Sequence, residues 1–449
     1  YTKEAKFVGN GTDVCVPRNQ ERVRFSHRKE AQHFWLKSDS LIVKVDIRTG
    51  AISYFDTNGS ALLREDAMIP RVGTKVFTER VTYDEASKRV EKTANGDIEV
   101  KTVLTRDTVG ASWKYKMNFR WMPSEALYGL GSHMEDYMNL KGKELYLCQH
   151  NLKAMVPVIN STAGYGLLFD AGCSMLFRDT EEVGYVELEA AKQIDYYFMK
   201  GKTMDAVIAN YRLLTGKSPM MPLYLFGYIQ SKERYVSSDD LINTLKQFRQ
   251  RQIPVDMIVQ DWNYWPDGQW GRMSMNPTFY PDKKKLADEI HAMNAKLMIS
   301  IWPNAVNSPQ TDDFKQKGLL FNGTTVYDAF NPLGRDLYWN YANKEFFSNG
   351  FDAWWCDSSE PLDADWKFMD ASYGPDSHER RWKLNTEILS DALGAERSQL
   401  YSLYHAMGIY ENQRATNASK RVVNLTRSSY AGQQRFSTIT WNGDTHATW

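Results

Sequence analysis

The sequence has no excess of either charge: its 449 residues include 55 Lys and Arg and 55 Asp and Glu. A balanced charge provides no electrostatic basis for binding nucleic acid or an anionic membrane, so we expect an uncharged partner. No apolar run reaches the roughly 20 residues that a membrane-spanning helix needs, and we expect no membrane association. The length fits an α/β domain plus a smaller β domain better than one small core.

Cysteine is scarce, with four residues spread along the chain at Cys15, Cys148, Cys173 and Cys356. None forms a Cys-x-x-Cys pair, and the histidines do not pair at ligand spacing, so we expect no metal site. We expect mostly buried thiols, although one pair could form a disulfide in an exporting compartment. Because the sequence starts at Tyr1 rather than Met, we expect any signal peptide to have been removed. A periplasmic or secreted location is our prediction, with a cytoplasmic one as the alternative.

Aromatic residues are plentiful: the chain has 14 Trp, 25 Tyr and 20 Phe, and many lie beside acidic residues. A single aromatic side chain is more often part of a core than of a binding site. Its flat face nevertheless suits the apolar C–H face of a sugar. Individual aromatic residues therefore need a second reason before they are assigned to a site.

Residues 350–361 place a carboxylate directly after a strand-like run. A glycine that can close the preceding helix is followed by the apolar and aromatic residues 351–356, which are typical of a buried strand. In a parallel barrel the C-terminal strand ends face the active site, so Asp357 is placed for chemistry and Asp352 is not. Asp357 could instead cap the next helix.

Two further acids follow strand-like runs in the same way. Asp261 follows the apolar residues 255–259, and Asp444 follows the β-rich residues 436–441. Asn-Gly directly before Asp444 is also a strong hairpin signal, so a plain turn is the alternative there. Three acids after three strands favour a shared carboxylate site over unrelated caps.

The chain divides into a β-rich N-terminal part and a C-terminal part in which strands and helices alternate. Apolar and polar residues alternate over residues 41–47 and 99–105, as expected for an antiparallel sandwich. Prolines at 219–222 mark a boundary. We therefore predict a β-sandwich domain at 1–218 and an α/β domain with a parallel sheet at 219–449.

Several sequence blocks surround the three acids. They are Trp354-Trp355-Cys356-Asp357-Ser358-Ser359-Glu360-Pro361, then residues 426–435 (Thr-Arg-Ser-Ser-Tyr-Ala-Gly-Gln-Gln-Arg), then Trp441-Asn442-Gly443-Asp444. These blocks resemble the signatures of glycoside hydrolase family 31. The likeness extends to residues 128–131 and 228–231, so it covers most of the chain in the family's order. It implies an α/β fold in which an N-terminal antiparallel β-sandwich precedes a (β/α)8 barrel.

The strand-like segments after residue 222 number six, whereas the implied barrel has eight strands. An open edge at each end of such a sheet would be an aggregation hazard. We therefore expect the chain to be a portion of a longer protein, or the remainder to lie in another segment. The last barrel strands would then be absent from this chain.

The resemblance assigns the chemistry to two carboxylates. Asp357 would be the nucleophile that forms a glycosyl-enzyme ester, and Asp444 the acid that later acts as a base, so that configuration at C1 is retained. Such a mechanism needs the carboxyl groups about 5–5.5 Å apart. It needs no metal and no cofactor, and the partner would be an oligosaccharide or glycoside. The sequence does not indicate an oligomeric state.

The same resemblance suggests contacts to the terminal sugar. Asp261 would bind hydroxyl groups at the non-reducing end, which implies exo action. Arg427 would keep Asp357 charged, unless the two form a purely structural ion pair. The other candidates are Trp262, Trp302, Cys356 and Trp441 in the pocket, and Glu135 and Asp136 in a glycine-rich loop over the barrel mouth. The aromatic residues could instead be core, and the loop a plain surface turn.

The terminal sugar is less well indicated. Residues 260–264, Gln-Asp-Trp-Asn-Tyr, depart from the Asp-Ile-Asp-Tyr of the family's α-glucosidases, and the blocks at 230–235 and 354–361 look more like its α-xylosidase side. A bulky Trp262 could exclude a C6 hydroxymethyl group and favour xylose, or fit the axial O4 of galactose. We predict an α-xylosidase, with an α-galactosidase as the alternative. A catalytically silent sugar-binding protein is the alternative of another class.

Overall fold

The computed structural model describes residues 11–17, 24–93, 96–180, 184–362 and 377–445. Two antiparallel sheets make up the N-terminal part. In chain order their strands are β1 (Phe25–Glu30), β2 (His33–Ser38), β3 (Ile42–Asp46), β4 (Ile52–Phe55), β5 (Ala61–Glu65), β6 (Arg71–Thr93), β7 (Gly96–Arg120), β8 (Leu127–Ser132), β9 (Glu144–Leu147), β10 (Ala154–Ser161), β11 (Tyr165–Phe169), β12 (Met175–Asp179), β13 (Gly184–Ala191) and β14 (Tyr196–Lys200).

The two sheets pack face to face. The first has the order β1-β2-β3-β4-β5-β7-β13-β12-β9, with β6 paired to β7, and the second has the order β14-β11-β10-β8. Apolar side chains from both fill the space between them: Phe119 of the first sheet meets Phe169 of the second edge to face, with ring centroids 6.2 Å apart. This arrangement agrees with the predicted N-terminal β-sandwich.

The C-terminal part contains one parallel sheet with helices packed against it. Helix α1 (Met204–Thr215) precedes this part and packs against the second sheet of the sandwich. The elements of the C-terminal part are β15 (Ile229–Gln230), α2 (Ser238–Gln250), β16 (Met257–Gln260), α3 (Lys283–Ala292), β17 (Lys296–Ile301), α4 (Pro309–Gln316), α5 (Pro332–Glu345), β18 (Ala353–Cys356), α6 (Ser377–Leu393), α7 (Tyr401–Thr416), β19 (Asn424–Thr426) and β20 (Thr438–Thr440). The strands pair in parallel in the order β15-β16-β17-β18-β19-β20. The absence of the last barrel strands from this chain stays a prediction.

Strand residues alternate between two cores. On β16, Met257 and Val259 pack with Met298 and Val423 of neighbouring strands on one face of the sheet. Ile258 belongs to the separate cluster that lies between the sheet and its helices. Because buried parallel strands are covered on both faces, their sequences are continuous apolar runs rather than alternating ones. This alternation decides which side chain at a strand end can reach the site.

The β6–β7 hairpin is much longer than the other strands, with 23 and 25 residues. The sequence analysis recognised only the alternation at 99–105. The hairpin leaves the sandwich and runs to the loops of the C-terminal part, where Asn322 Nδ2 donates to the carbonyl oxygen of Val81 over 2.7 Å.

Other expectations from composition can be compared with the described residues. None of their helices is both long and apolar enough to cross a membrane. The four cysteines are free thiols, three of them buried and Cys15 half-buried. Within the described ranges, no three His, Cys, Asp or Glu side chains are grouped as a metal site would require.

Candidate active site

Three acids lie beyond the C-terminal ends of parallel strands, as their sequence positions predict. Asp261 follows β16, Asp357 follows β18, and Asp444 lies a few residues beyond β20. The N–H of Asp357 donates to the carbonyl oxygen of Ile301 on the neighbouring strand over 3.0 Å, which fixes the start of its loop. Parallel pairing therefore brings acids that are far apart in sequence to one edge of the sheet.

Arg427 joins two of these acids. It follows β19 directly, and its side chain is buried between them. Arg427 Nη1 lies 3.0 Å from Asp357 Oδ1 and 3.5 Å from Asp444 Oδ2. Because one nitrogen contacts both oxygens, these oxygens can be no farther apart than the sum of the two distances. The spacing therefore fits a retaining site, about 5–5.5 Å, and not the wider part of the inverting range.

Glu360 is a third carboxylate on the same guanidinium, and the sequence analysis gave it no role. Its Oε1 accepts from Arg427 Nη2, which also donates to Ser358 Oγ over 2.8 Å. Glu360 is 1% exposed. The signature block quoted above contains Glu360, but an acid three residues after Asp357 could equally have faced solvent. The contact indicates that Glu360 orients Arg427.

The two carboxylates on Arg427 Nη1 lie in different surroundings. The side chain of Asp357 is 18% exposed, whereas that of Asp444 is 59% exposed. The pKa of Asp357 is raised to about 6, mainly by burial, while the charge of Arg427 opposes the rise and the charges of Asp444 and Glu360 add to it. Two carboxylates held in unlike environments can take the separate roles of nucleophile and acid.

Asp261 is the third acid of the group. Burial, followed by the charge of Asp357, raises the pKa of Asp261 to about 7, although its Oδ1 accepts from the N–H of Trp262 over 2.8 Å. The charge of Asp357 therefore adds to burial in keeping Asp261 protonated at a higher pH than is usual for an aspartate. An acid so placed can accept a hydrogen bond from a sugar hydroxyl when ionised and donate one when protonated.

We expect Asp261→Asn to stabilise the fold at alkaline pH while weakening the site. The pKa of Asp261 is raised in the folded state, so its contribution to stability is largest below 3.8, the ordinary value, and is lost as the pH rises to about 7. Asparagine keeps the acceptor for Trp262 but cannot ionise. Melting temperatures should therefore show the variant above the unaltered protein at pH 8, with a smaller difference at pH 4. Equal differences at both pH values would contradict this account.

Asn151 is a site residue that the sequence analysis missed. It lies on the segment between β9 and β10 of the sandwich, 293 residues from Asp444 in sequence. Its Nδ2 donates to Asp444 Oδ2 over 2.7 Å, and the backbone N–H of Asp444 donates to Asn151 Oδ1 over 3.1 Å. Asn151 therefore holds both the carboxylate and the backbone of Asp444. No motif in its neighbourhood signals this contact.

On the roles that the sequence resemblance implies, replacing Asn151 with alanine should impair proton transfer by Asp444 more than sugar binding. For substrates whose leaving group needs a proton, we expect kcat to fall about tenfold. This loss is a part of the rate enhancement that a general acid contributes. A nitrophenolate leaves without a proton, so the loss on nitrophenyl glycosides should be smaller. Asn343→Ala, on α5, is the control and should alter neither rate. Equal losses on both substrate types would instead indicate a purely structural role.

The predicted loop acids behave differently from each other. Glu135 Oε1 accepts from Lys153 Nζ over 2.5 Å, and His133 Nδ1 lies 3.1 Å from Glu135 Oε2. Burial alone would raise the pKa of Glu135, but His133 and Lys153 hold it down to about 2. Glu135 thus anchors Lys153, two residues from Asn151, while Asp136 is exposed. The glycines of the predicted loop, Gly129 and Gly131, lie in strand β8, where they pair with β10, and only the residues after β8 form a loop. That loop supports the Asn151 segment through the ion pair between Glu135 and Lys153.

Of the three aromatic candidates, Trp441 and Trp262 are half-buried and Trp302 is buried. Trp441 packs against Trp355, with ring centroids 4.8 Å apart, on the same face of the sheet as Met257. Trp262 is half-buried, 5.7 Å from Trp270. Trp302 is only 3% exposed, within the cluster between sheet and helices.

Cys356 belongs to that same cluster and is fully buried. Strand alternation turns its thiol toward the helix layer and the side chain of Asp357 to the opposite face. The thiol of Cys356 therefore points away from the face that holds the acids, and its predicted sugar contact stays a prediction. Trp302 can reach a sugar only through the small exposed part of its ring.

Comparisons with known proteins agree on one family. Residues 218–449 match the model of the glycosyl hydrolases family 31 TIM-barrel domain. The chain is 37% identical over 352 residues to an alpha-xylosidase of Saccharolobus solfataricus, covering 76% of this chain and 46% of that protein. It is 27% identical over 373 residues to alpha-xylosidase A of Aspergillus niger, covering 76% and 49%. The chain thus spans about half the length of these two curated relatives.

Solved structures show the same fold. A crystal structure of a GH31 alpha-xylosidase from a soil metagenome, complexed with xylose, superposes with a TM-score of 0.77 at 24% identity. The superposition covers 98% of this chain and 62% of that chain. At this identity the likeness establishes the fold and not the substrate.

Proposed function

Because the chain belongs to glycoside hydrolase family 31, we propose that it is a retaining, exo-acting α-glycosidase that releases a terminal α-linked xylose. One observation carries the proposal: Arg427 Nη1 contacts both Asp357 and Asp444, which limits the separation of the two contacted oxygens to a range that includes the spacing for double displacement. The presence of both carboxylates disfavours a catalytically silent sugar-binding protein.

In the first step, Asp357 attacks the sugar. A carboxylate oxygen of Asp357 forms a bond to C1 while the bond from C1 to the leaving oxygen breaks. That oxygen takes the electron pair and the proton of Asp444. Arg427 keeps Asp357 ionised against the effect of its burial, and Asn151 holds Asp444 toward the leaving group.

In the second step, a water molecule replaces the leaving group. Asp444 now accepts a proton from that water, whose oxygen bonds to C1 as the ester bond to Asp357 breaks. Two inversions at C1 give net retention. The greater exposure of Asp444 suits this role, since its carboxylate must meet both the leaving group and the incoming water.

Xylose is favoured by the relatives and by one side chain. Alpha-xylosidases are among the relatives by sequence and by fold, and one neighbour was solved with xylose bound. Trp262 lies beside Asp261, with Arg234 stacked 5.5 Å from its ring centroid. A ring fixed in this way would limit the room for a C6 hydroxymethyl group, which xylose lacks.

Hydrolysis of nitrophenyl α-xyloside, α-galactoside and α-glucoside tests the proposal directly. We expect kcat/KM for the xyloside to exceed the other two by at least about tenfold, since loss or gain of one small group in a pocket has about this effect. Nuclear magnetic resonance of the first product should show the α-anomer. Preference for galactoside would replace xylose with galactose, whereas an initial β-anomer would overturn the retaining mechanism.

A further inference from the structure

A buried amide of the sandwich contacts the loop that carries Arg427. Gln149 lies on the segment between β9 and β10, two residues before Asn151, and is 1% exposed. Its Nε2 donates to the carbonyl oxygen of Ser429 over 2.8 Å, and its Oε1 accepts from Ser428 Oγ over 2.8 Å. These two serines directly follow Arg427 in the chain. Gln149 therefore holds the residues after Arg427 from the sandwich side.

The other hydrogen-bonding positions of the same amide are used within its own segment. Its Nε2 also donates to the carbonyl oxygen of Met155 over 3.0 Å, and its Oε1 also accepts from the N–H of Met155 over 2.9 Å. A primary amide has two donor hydrogens and an oxygen that accepts two bonds. All four positions of Gln149 are thus occupied, two by Met155 and two by the loop after β19. The side chain can therefore hold that loop without being displaced itself.

The backbone of Gln149 is fixed from a different direction. Its N–H donates to Gln399 Oε1 over 2.6 Å, and its carbonyl oxygen accepts from Asn385 Nδ2. Asn385 lies on α6 and Gln399 just before α7, and both are fully buried. Helix α6 and the residues before α7 thus anchor the segment from which Gln149 reaches the loop.

The hydrogen bonds continue to the loop that carries the nucleophile. The N–H of Ser428 donates to Ser359 Oγ over 2.9 Å, and Ser359 lies two residues after Asp357. Both serines are fully buried. The segment 149–151 also holds Asp444. It therefore braces the loops after β19 and β20 directly, and the loop after β18 through Ser428.

The position of Arg427 determines how strongly Asp357 is kept ionised. Arg427 Nη1 lies 3.0 Å from Asp357 Oδ1. Three acids also act on the charge of Asp357: Asp444, Glu360 and Asp261. Each acid favours the protonated form of Asp357, as burial does, so the ionised form depends on the short distance to Arg427. A small displacement of Arg427 would therefore raise the pKa of Asp357.

We propose that Gln149 is a positioning residue of the active site, which holds the loop after β19 so that Arg427 stays in contact with Asp357. The inference rests on the proposed function. It adds that the N-terminal sandwich sets the ionisation of the nucleophile, besides orienting Asp444 through Asn151. Gln149 acts through the two serines after Arg427 rather than on the substrate.

Gln149→Met tests this, because methionine resembles glutamine in length but forms none of the four hydrogen bonds. The measured quantity is the pH dependence of kcat/KM on whichever of nitrophenyl α-xyloside, α-galactoside and α-glucoside the unaltered protein cleaves best. We expect its acid limb to move up by about half a pH unit, which lowers kcat/KM at pH 5 about threefold, because the pKa of Asp357 rises as its cation recedes. An acid limb that stays in place in the folded variant overturns the inference.

Gln413→Met is the matched control. Gln413 is a fully buried amide on α7, and its Oε1 accepts from Trp354 Nε1 over 2.8 Å on the helix side of the sheet. Its replacement should lower the melting temperature, since a buried donor loses its partner, and leave the acid limb in place. An acid limb that moves equally in Gln413→Met would show a general effect of instability and overturn the inference.

Ser428→Ala removes one of the hydrogen bonds from the other side and leaves both bonds to Met155 intact. It should move the acid limb in the same direction, by less than Gln149→Met. In the double variant the shift should not exceed that of Gln149→Met alone, since the bond is then already lost. Additive shifts overturn the inference. If Gln149→Met does not fold by circular dichroism, Ser428→Ala carries the test, and an unmoved acid limb overturns it.

A second readout separates failure of the inference from failure of the proposed function. If the unaltered protein cleaves none of the three nitrophenyl glycosides, the proposed function fails. The pKa of Asp357 is then measured by carbon-13 nuclear magnetic resonance of aspartate-labelled protein, with its signal assigned by its absence in Asp357→Asn. A higher pKa in Gln149→Met supports the positioning role, and an equal pKa overturns it.

Discussion

Replacing Asp357 with asparagine should lower kcat on nitrophenyl α-xyloside by about 10⁴-fold or more, the scale of loss expected when a covalent nucleophile is removed. The amide keeps the shape of the side chain and an acceptor for the N–H of Ser358. It cannot form the glycosyl ester, so binding should be retained while release of nitrophenol stops. Stopped-flow measurement of nitrophenol release would show neither a burst nor a steady rate.

Asp352 provides a matched control on the same strand segment. It lies before β18, where its Oδ2 contacts His291 Nε2 over 2.7 Å and accepts from the N–H of Leu297 over 3.0 Å. Asp352→Asn should therefore lower the melting temperature and leave kcat nearly unchanged. If Asp352→Asn abolished activity as fully as Asp357→Asn, the assignment of chemistry to the C-terminal strand ends would be wrong.

Replacing Arg427 with methionine should produce the second large effect, on both stability and pH dependence. The change leaves Asp357 and Glu360 buried without their shared cation, and breaking a buried ion pair in this way costs up to about 3–5 kcal/mol. Proton uptake by these acids would limit the loss. Urea denaturation at pH 7 measures it.

The pH profile of the same variant reports on Asp357. Burial raises the pKa of Asp357 to about 6, and Arg427 opposes that rise. The nucleophile must be ionised, so kcat/KM of the unaltered protein should fall as the pH drops through about 6. Without Arg427 the pKa rises further, and the acid limb should move to higher pH. Arg427→Lys keeps the positive charge but loses the bidentate geometry of the guanidinium. Its acid limb should therefore lie between those of the unaltered protein and of Arg427→Met. An acid limb that stays in place in Arg427→Met would rule out this role.

Asn151 shows why part of the site escaped sequence reasoning. Two hydrogen bonds to Asp444, which is 293 residues away in sequence, identify Asn151 as a site residue. The residues next to Asn151 in sequence give no indication of these bonds. Glu360 was missed only in part, because the signature block that contains it was identified in the sequence. The direction of the Glu360 side chain depends on the backbone conformation after β18, including the left-handed bend at Ser358. Local patterns do not encode such directions.

Local sequence patterns are sufficient to place the acids at strand ends. Continuous apolar runs predicted buried parallel strands, and acids directly after them predicted a carboxylate group at one edge of the sheet. That reasoning holds because parallel strands all end on the same side, whatever the loops between them do. It places Asp261, Asp357 and Asp444 at one edge of the sheet.

The neighbours that share the surroundings of those acids depend on how the whole chain packs. Cys356 and Asp357 are adjacent in sequence, yet strand alternation places the thiol among the helices and the carboxylate beside Arg427. The Asn151 segment joins β9 to β10 in the N-terminal sandwich and meets Asp444 only because the two parts of the chain pack together. Contacts of this kind depend on how surfaces fit across long separations in sequence, and that fit is a property of the assembled fold rather than of any local pattern.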